Sequence, residues 1–243
     1  NIIIENSNIN LMVLDVTPKI DINDLEKHLK NWKKKKVSLV SIDSLVEYSN
    51  FLDLIWIPSF NFNYNNSNNL KSKIKSGWDS YLIQKKIKHN QWFHGKKLLV
   101  LTGGSDTTNL SETLPRQLDE KLDDKIEISW IKGPFSDEPA LPKKCRLNWS
   151  VYKNLESLDD IIVQHNYAMT VFGVSFFEIL QYGIPTVVFS PYNNKDDGEL
   201  KMLAKENVAF VAASPKNAID GIIKLMASEE LSKSYSLNSR KKM

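Results

Sequence analysis

The stretch from Thr170 to Ser190 constrains the fold more than any other part of the chain, because it changes from strand to helix and back within a short distance. An apolar strand runs into a turn at Gly173, a helix begins near Ser175, and Gly183-Ile-Pro185 ends that helix before the next apolar run. We expect Ser175 to cap the helix, whose first amide groups attract phosphate. The stretch therefore predicts a phosphate-binding turn in an α/β fold.

Glu178 lies one helical turn beyond Ser175. A carboxylate repels phosphate, but it can accept hydrogen bonds from a ribose diol, as the acidic residue of dinucleotide-binding folds does. The alternative is a capped helix that carries an exposed glutamate and binds nothing. For Phe176 and Phe177 we favour packing over stacking on a base, because the helix must bury one face.

Short apolar runs without alternation recur in the first half of the chain, as in strands buried on both faces of a parallel sheet. They are Leu11–Leu14, Val37–Ile42 and Leu54–Ile57. Between the first two runs, apolar residues recur at helical spacing, at Ile22, Leu25, Leu29 and Trp32. Asp15 and Asp43 directly follow the first two strands, at the edge where parallel sheets bind ligands, and are candidate catalytic bases.

A second series begins with the strand Lys97–Leu101, which runs into Gly103 and Gly104. Two glycines let backbone amides approach an anion, and Ser105 adds a hydroxyl group. The alternative is a tight turn without a ligand, in which a polar side chain only caps the next helix; the candidates are Asp106 and Asn109. That helix is indicated by leucines four residues apart from Leu110 to Leu122, and Pro115 within it predicts a kink or a delayed start.

The rest of the second half alternates strands and helices, which predicts a doubly wound α/β domain. The strands are Ile126–Ile131, Tyr167–Phe172, Thr186–Ser190 and Val208–Ala212, and the helices are Leu155–Gln164, Ser175–Tyr182, Asp196–Glu206 and Asn217–Met226. We expect the proline-containing stretch Gly133–Asn148 to be irregular. The boundary is placed near Phe93, with a partial Rossmann-like domain at residues 1–93 and a nucleotide-binding Rossmann-like domain at residues 94–243.

Composition excludes several classes of protein. The single cysteine, Cys145, excludes an internal disulfide framework and multi-cysteine metal sites. The histidines lack metal-ligand spacing, so we expect neither a metal nor a cofactor; they are His28, His89, His94 and His165. Of these, His94 is a further candidate base, because it lies near the predicted boundary. Without an apolar run of about 20 residues or a signal peptide, we expect a soluble, cytoplasmic protein.

The net charge of +3 is too small to indicate a nucleic-acid partner. The basic run Lys33–Lys36 follows a predicted helix, as cations at a helix C-terminus do, and the alternative is an anionic membrane surface. Asp15 also suggests an aspartyl-phosphate enzyme, but Thr17 stands where that class needs a second acid, so we disfavour a phosphatase.

Two segments, residues 102–110 and 171–185, resemble the nucleotide-binding domain of the UDP-sugar hydrolases of pseudaminic acid biosynthesis. These enzymes are relatives of the peptidoglycan N-acetylglucosaminyltransferase, so the resemblance implies two Rossmann-like domains of the GT-B type. The residues Val37–Asp43 and Trp78–Ile83 resemble the family's N-terminal domain. The glycine-histidine loop that supplies the family's water-activating histidine has no counterpart here, which implies that the N-terminal domain is incomplete.

The resemblance also implies which residues bind the ligand. UDP is expected beside Gly103, Gly104, Ser105, Gly173, Val174, Ser175 and Glu178, and the sugar beside Asn193 and Asn194. The implied activity is that of a UDP-sugar hydrolase or glycosyltransferase of bacterial surface-polysaccharide or glycan biosynthesis, inverting and metal-independent, with peripheral association to a membrane or to other glycan-synthesis enzymes. The alternative is a catalytically silent nucleotide-sugar-binding or scaffold domain of a larger polysaccharide-synthesis protein.

Overall fold

The apolar runs of the sequence form parallel strands, and most of the helical stripes between them form helices. The computed structural model describes residues 9–16, 22–62, 73–83, 85–88, 91–192 and 195–243. The chain divides into two compact units, Asn1–Leu82 and Ile83–Met243. This division lies ahead of the boundary predicted near Phe93, because Lys85 and Trp92 contact later residues of the second unit. Lys85 Nζ donates a hydrogen bond to the Gln181 carbonyl, and Trp92 Nε1 donates one to the Asn166 carbonyl at 2.6 Å.

The described part of the first unit contains a four-stranded parallel sheet with the strands in chain order. The strands are β1 (Leu11–Leu14), β2 (Ser38–Ile42), β3 (Leu54–Trp56) and β4 (Ile74–Lys75), and helix α1 (Ile22–Lys34) connects β1 to β2. Single 3₁₀ turns lie between β2 and β3, at Val46–Tyr48, and after β4, at Trp78–Ser80. Leu29 of α1 packs against Leu39 and Ile55 of the sheet, and all three are fully buried. The βαβ unit predicted from the sequence is therefore confirmed.

The described part of the second unit contains a six-stranded parallel sheet in the order β10-β9-β8-β5-β6-β7. Its strands are β5 (Lys97–Leu101), β6 (Glu127–Ile131), β7 (Asn148–Tyr152), β8 (Tyr167–Val171), β9 (Thr186–Phe189) and β10 (Phe210–Val211). Its helices are α2 (Leu110–Lys121), α3 (Asp159–Ile162), α4 (Val174–Leu180), α5 (Asp197–Glu206), α6 (Pro215–Ala227) and α7 (Glu229–Lys242).

Both faces of this sheet are covered by apolar side chains. On one face Leu98 and Val100 pack with the leucines of α2 and the isoleucines of α6. On the other face Leu99 and Leu101 pack with Ile179 of α4 and with α3. This burial on both sides explains why the central strands appear in the sequence as continuous apolar runs.

The order of the strands places β5 and β8 side by side at the point where the chain changes direction across the sheet. From β5 the chain continues to β6 and β7 on one side, and from β8 it continues to β9 and β10 on the other. In open parallel sheets, ligands bind outside the carboxyl ends of strands at such a switch point. Both predicted glycine turns follow these two strands.

Three details differ from the sequence-based expectations. Helix α2 starts at Leu110 without the delay predicted from Pro115, because the Ser111 carbonyl that Pro115 cannot bond accepts the Ala140 amide at 2.8 Å. The stretch expected to be irregular ends in strand β7, which pairs with β6. The helix predicted over Leu155–Gln164 is shortened to α3, and Leu155 and Leu158 before it line a cavity described below.

Candidate functional site

The two glycine turns meet at the carboxyl edge of the second sheet and line one cavity of about 290 Å³. It is called the first cavity below. One wall is the turn after β5 and the other is the turn after β8, with Pro191 and Tyr192 at one side. The structure thus brings together six of the residues predicted to bind a nucleotide, which are Gly103, Gly104, Ser105, Gly173, Val174 and Ser175.

The turn after β5 is held by its own carboxylate. Gly103 has a φ of 91°, which favours glycine, and Asp106 also has a left-handed backbone with a φ of 44°. Asp106 Oδ1 accepts the Leu110 amide at 2.9 Å and Oδ2 accepts the Ser111 amide at 2.7 Å. These amides of α2 are therefore already occupied, which supports the interpretation of Asp106 as a helix cap. Asn109 precedes the helix without a capping bond from its side chain.

The turn after β8 is open. Helix α4 begins at Val174, and Gly173 in the cap position has no side chain that could cap it. A Cβ atom added at Gly173 would have nothing within 4 Å, so this side of the turn faces free space. Ser175 lies inside the first turn and does not take the cap position predicted from the sequence, because the helix starts one residue earlier.

A second cavity, of about 210 Å³, lies beside the first and shares Gly103, Gly104 and Ser175 with it. Its other walls come from the turns after β6 and β7, and its apolar lining includes Leu101, Ile131, Pro134, Leu155 and Leu158. Lys132 is the basic residue that lines it. An apolar cavity joined to a polar one suits a ligand with an apolar part and a polar part.

Gly133 brings the turns after β5 and β6 into contact, and sequence reasoning missed this role. A Cβ atom at Gly133 would lie 2.3 Å from the Gly103 carbonyl oxygen and 2.5 Å from that of Gly104. The amide of Phe135 then donates to the Gly104 carbonyl at 2.9 Å. The signal in the sequence was a Gly-Pro pair shortly after an apolar strand.

The first cavity is rich in hydroxyl groups. The residues that line it include Thr102, Ser105, Thr107, Thr170 and Ser175, and Asp106 is the charged residue among the described residues that line it. Tyr192 closes one side, where its hydroxyl lies 3.4 Å from Thr107 Oγ1. An anion in this cavity would be bound by neutral donors, namely hydroxyls and backbone amides.

Glu178, which was also predicted to bind the nucleotide, does not belong to the lining of either cavity. Burial and the nearby charge of Asp159 raise its pKa, although a hydrogen bond with Ser175 and the charge of Lys86 act in the opposite direction. Asp159 is itself buried and accepts a hydrogen bond from the hydroxyl of Tyr182. Glu178 is therefore connected to the first cavity only indirectly, by its hydrogen bond with Ser175.

The three candidate bases lie in different units of the chain. Asp15 and Asp43 follow β1 and β2 in the first unit, and burial together with the charge of Asp15 raises the pKa of Asp43. His94 is exposed, and its Nδ1 lies 2.7 Å from the hydroxyl of Tyr167, the first residue of β8. His94 therefore lies at the amino end of the second sheet, opposite to the glycine turns.

Other expectations concern residues or groups outside this region. Asn193, Asn194 and His89 lie outside the described residues. Within the described ranges, no cluster of three or more His, Cys, Asp or Glu side chains is arranged to hold a metal ion. No helix in the part of the chain that the structure describes has the length and apolar character needed to span a bilayer.

The two parallel-sheet units and their interleaved helices define an α/β protein of the GT-B fold. MurG of Acinetobacter baumannii is 14% identical with a TM-score of 0.59, over 88% of this chain and 71% of that chain. The glycotransferase of kitacinnamycin is 13% identical with a TM-score of 0.62, over 98% and 72% of the two chains. The UDP complex of MnaA from S. aureus is 12% identical with a TM-score of 0.56, over 96% and 71%.

Comparisons by sequence add one relative. An uncharacterized protein of Methanocaldococcus jannaschii is 29% identical in an alignment 124 residues long, which covers 46% of this chain. The match spans about a quarter (25%) of the length of that relative. No protein-family model matches the chain.

Proposed function

We propose that the chain binds a nucleotide sugar through its second unit, with the diphosphate in the first cavity. The observation that carries this proposal is the cavity itself, at the switch point of a parallel sheet and lined by both glycine turns. The S. aureus MnaA structure holds UDP, and the UDP-GlcNAc 2-epimerase of Neisseria meningitidis was solved with UDP-GlcNAc. These neighbours of the same fold support UDP as the nucleotide.

The two cavities differ in polarity, and each would bind the part of the ligand that matches it. The hydroxyls and backbone amides around the first cavity donate hydrogen bonds to the phosphate oxygens. The apolar second cavity takes the planar base, which is the least polar part of a nucleotide. Glu178 accepts hydrogen bonds from the ribose diol after a small movement past Ser175.

The reaction we propose is hydrolysis or transfer of the sugar of a UDP-sugar by inverting attack at the anomeric carbon, as in the hydrolases of pseudaminic acid biosynthesis that the sequence resembles. Backbone amides and hydroxyls of the first cavity stabilise the charge of the departing diphosphate. Asp15 and Asp43 remain the candidate bases, because they lie at the carboxyl edge of a parallel sheet.

A second candidate function is a nucleotide-sugar-binding domain without catalysis. The position of His94 favours it, because this imidazole lies at the end of the second sheet that is remote from the first cavity. The two candidates predict the same binding and differ in turnover, so release of UDP from UDP-sugars distinguishes them.

Calorimetric titration with UDP, in the presence and absence of EDTA, tests the proposal. We expect binding that the chelator leaves unchanged. Gly173→Leu should abolish it without loss of stability, because the new side chain enters free space in the cavity. Ala227→Leu, at an exposed position of α6, is the matched control and should bind as the parent does. Absence of UDP binding by the parent, or its loss in EDTA, would contradict the proposal.

A further inference from the structure

The hydroxyl group of Thr102 is buried without a hydrogen-bond partner. Thr102 directly follows β5 and precedes Gly103, and the residue is only 4% exposed. Among the described residues, Oγ1 of this side chain has no donor or acceptor. Most buried polar side-chain atoms in folded proteins have a partner, because a buried hydroxyl without one is destabilising. The position of Thr102 therefore needs an explanation.

Thr102 differs from other buried groups of this kind by its location. Ser41 Oγ and Trp130 Nε1 also lack partners among the described residues, but neither residue lines the first or second cavity. Thr102 lines the first cavity. Thr170 on the adjacent strand lines it too, but its hydroxyl is 3.2 Å from the Val171 carbonyl. Thr102 is therefore a residue of this cavity whose hydroxyl is buried without a partner.

We propose that the hydroxyl of Thr102 donates a hydrogen bond to a phosphate oxygen of the bound nucleotide. The proposal rests on the function proposed above and adds a binding residue to it. Since no Lys or Arg is found among the described residues that line this cavity, the phosphate charge depends on neutral donors. Because the hydroxyl is buried, it reaches the phosphate by rotation about χ1, and its bond to a charged oxygen is stronger than a neutral one.

The test is Thr102→Val, which keeps the shape of the side chain and removes the hydroxyl. Calorimetry with the full chain should show about tenfold to a hundredfold weaker binding of UDP, the loss expected for one bond to a charged group. Affinity for uridine, which lacks phosphate, should stay at the parent value. The melting temperature without ligand should stay the same or rise, because the variant removes a buried hydroxyl that has no partner.

Thr186→Val is the matched control in the same sheet. Thr186 is fully buried, lines neither cavity, and donates to the Ile184 carbonyl at 2.7 Å. This variant should lower the melting temperature and leave UDP affinity unchanged. If Thr102→Val proves unstable, Thr102→Ser and Thr102→Ala replace it, since the two differ only by the hydroxyl; the serine variant should bind UDP more tightly.

Three outcomes would overturn the proposal. Parent-like UDP affinity in Thr102→Val, or in Thr102→Ala if that pair is used, removes the hydroxyl from the site while the proposed function stands. An equal loss of affinity for UDP and uridine shows that the hydroxyl does not act on phosphate. Failure of the parent to bind UDP overturns the proposed function and this inference with it.

Discussion

Gly133 and Gly104 come so close that a Cβ atom on Gly133 would lie 2.5 Å from the Gly104 carbonyl oxygen. This contact joins the turns after β5 and β6, and both turns contribute to the second cavity. The Gly104 carbonyl also accepts a hydrogen bond from the Phe135 amide, which fixes the backbone of the turn after β5. The shape of the site thus depends on Gly133, which also lines the second cavity.

Gly133→Ala should therefore destabilise the protein and weaken UDP binding together. The new methyl group meets backbone, which can relieve the overlap only by moving, and overpacking of this kind costs about 1–3 kcal/mol. Gly104→Ala is the control, because a Cβ there would have nothing within 4 Å. Thermal unfolding of the two variants is the measurement. A melting temperature for Gly133→Ala equal to that of Gly104→Ala would show that the turns do not need this close approach.

A second prediction concerns Asp119, a buried carboxylate of α2 that organises the start of β7. It accepts hydrogen bonds from the amides of Arg146 and Leu147 and from the indole of Trp149, at 3.0–3.1 Å. Burial alone would raise the pKa of Asp119, but these hydrogen bonds outweigh it and hold the pKa below its usual value. Asp119→Asn should lower the free energy of unfolding at neutral pH by about 2 kcal/mol.

The pH dependence follows from the direction of that shift. A lowered pKa in the folded state gives stability that is present above the unfolded value of about 3.9 and is lost as the pH falls through the folded value. Chemical denaturation from pH 7 downward should therefore show parent and Asp119→Asn converging in acid. Asp220→Asn, whose side chain is 56% exposed and paired with Lys121 at 3.5 Å, is the control and should change stability little at any pH. A constant gap between parent and Asp119→Asn would contradict the assignment.

The sequence was sufficient for the central strands because their signal is local. β5 and β8 are continuous apolar runs that both faces of the sheet bury, and each is followed by a glycine. β7 was missed because it lies at the edge of the sheet and alternates between exposed and partly buried residues, after a stretch rich in proline. Pairing with β6, which is distant in sequence, determines that it forms a strand.

The same distinction between local and long-range signals applies to the candidate site. The turns at Gly103 and Gly173 were predicted from local residues, and they line a common cavity. The need for glycine at position 133 comes from the carbonyls of another turn, so no local pattern contains it. The free hydroxyl of Thr102 is likewise a property of the packed structure, since its partners, or their absence, depend on neighbouring strands.

Glu178 gives a third prediction. If it binds the ribose diol, Glu178→Gln removes bonds to a charged acceptor and weakens UDP tenfold or more. The pKa of Glu178 is raised by burial and by Asp159, so the ionised carboxylate is unfavourable for folding above that pKa. The variant should therefore not be less stable than the parent at neutral pH. Glu112→Gln, on the exposed side of α2, is the matched control.

The same shift predicts how UDP binding by Glu178 depends on pH. The diol needs the ionised carboxylate, so affinity should decrease as the pH falls through the raised pKa, at a higher pH than for an ordinary glutamate. The phosphate of UDP also titrates, with a pKa near 6, but it does so equally in parent and variant. The ratio of the two affinities therefore isolates Glu178. A ratio that does not change with pH would exclude the ionised carboxylate from ribose binding.

The fourth prediction is that His94 does not act as the general base. His94 is hydrogen-bonded to Tyr167, the first residue of β8. Gly173 lies six residues further along a nearly extended chain, which rises about 3.3 Å per residue. The imidazole is therefore roughly 20 Å from the first cavity. A general base must come within hydrogen-bonding distance of its proton, and its loss typically lowers the rate about 10²–10⁴-fold. We expect His94→Gln to keep the UDP affinity of the parent and its rate of UDP release from UDP-sugars. A loss of release in that range, with UDP affinity and the melting temperature unchanged, would make His94 the base and contradict its placement at the amino end of the sheet.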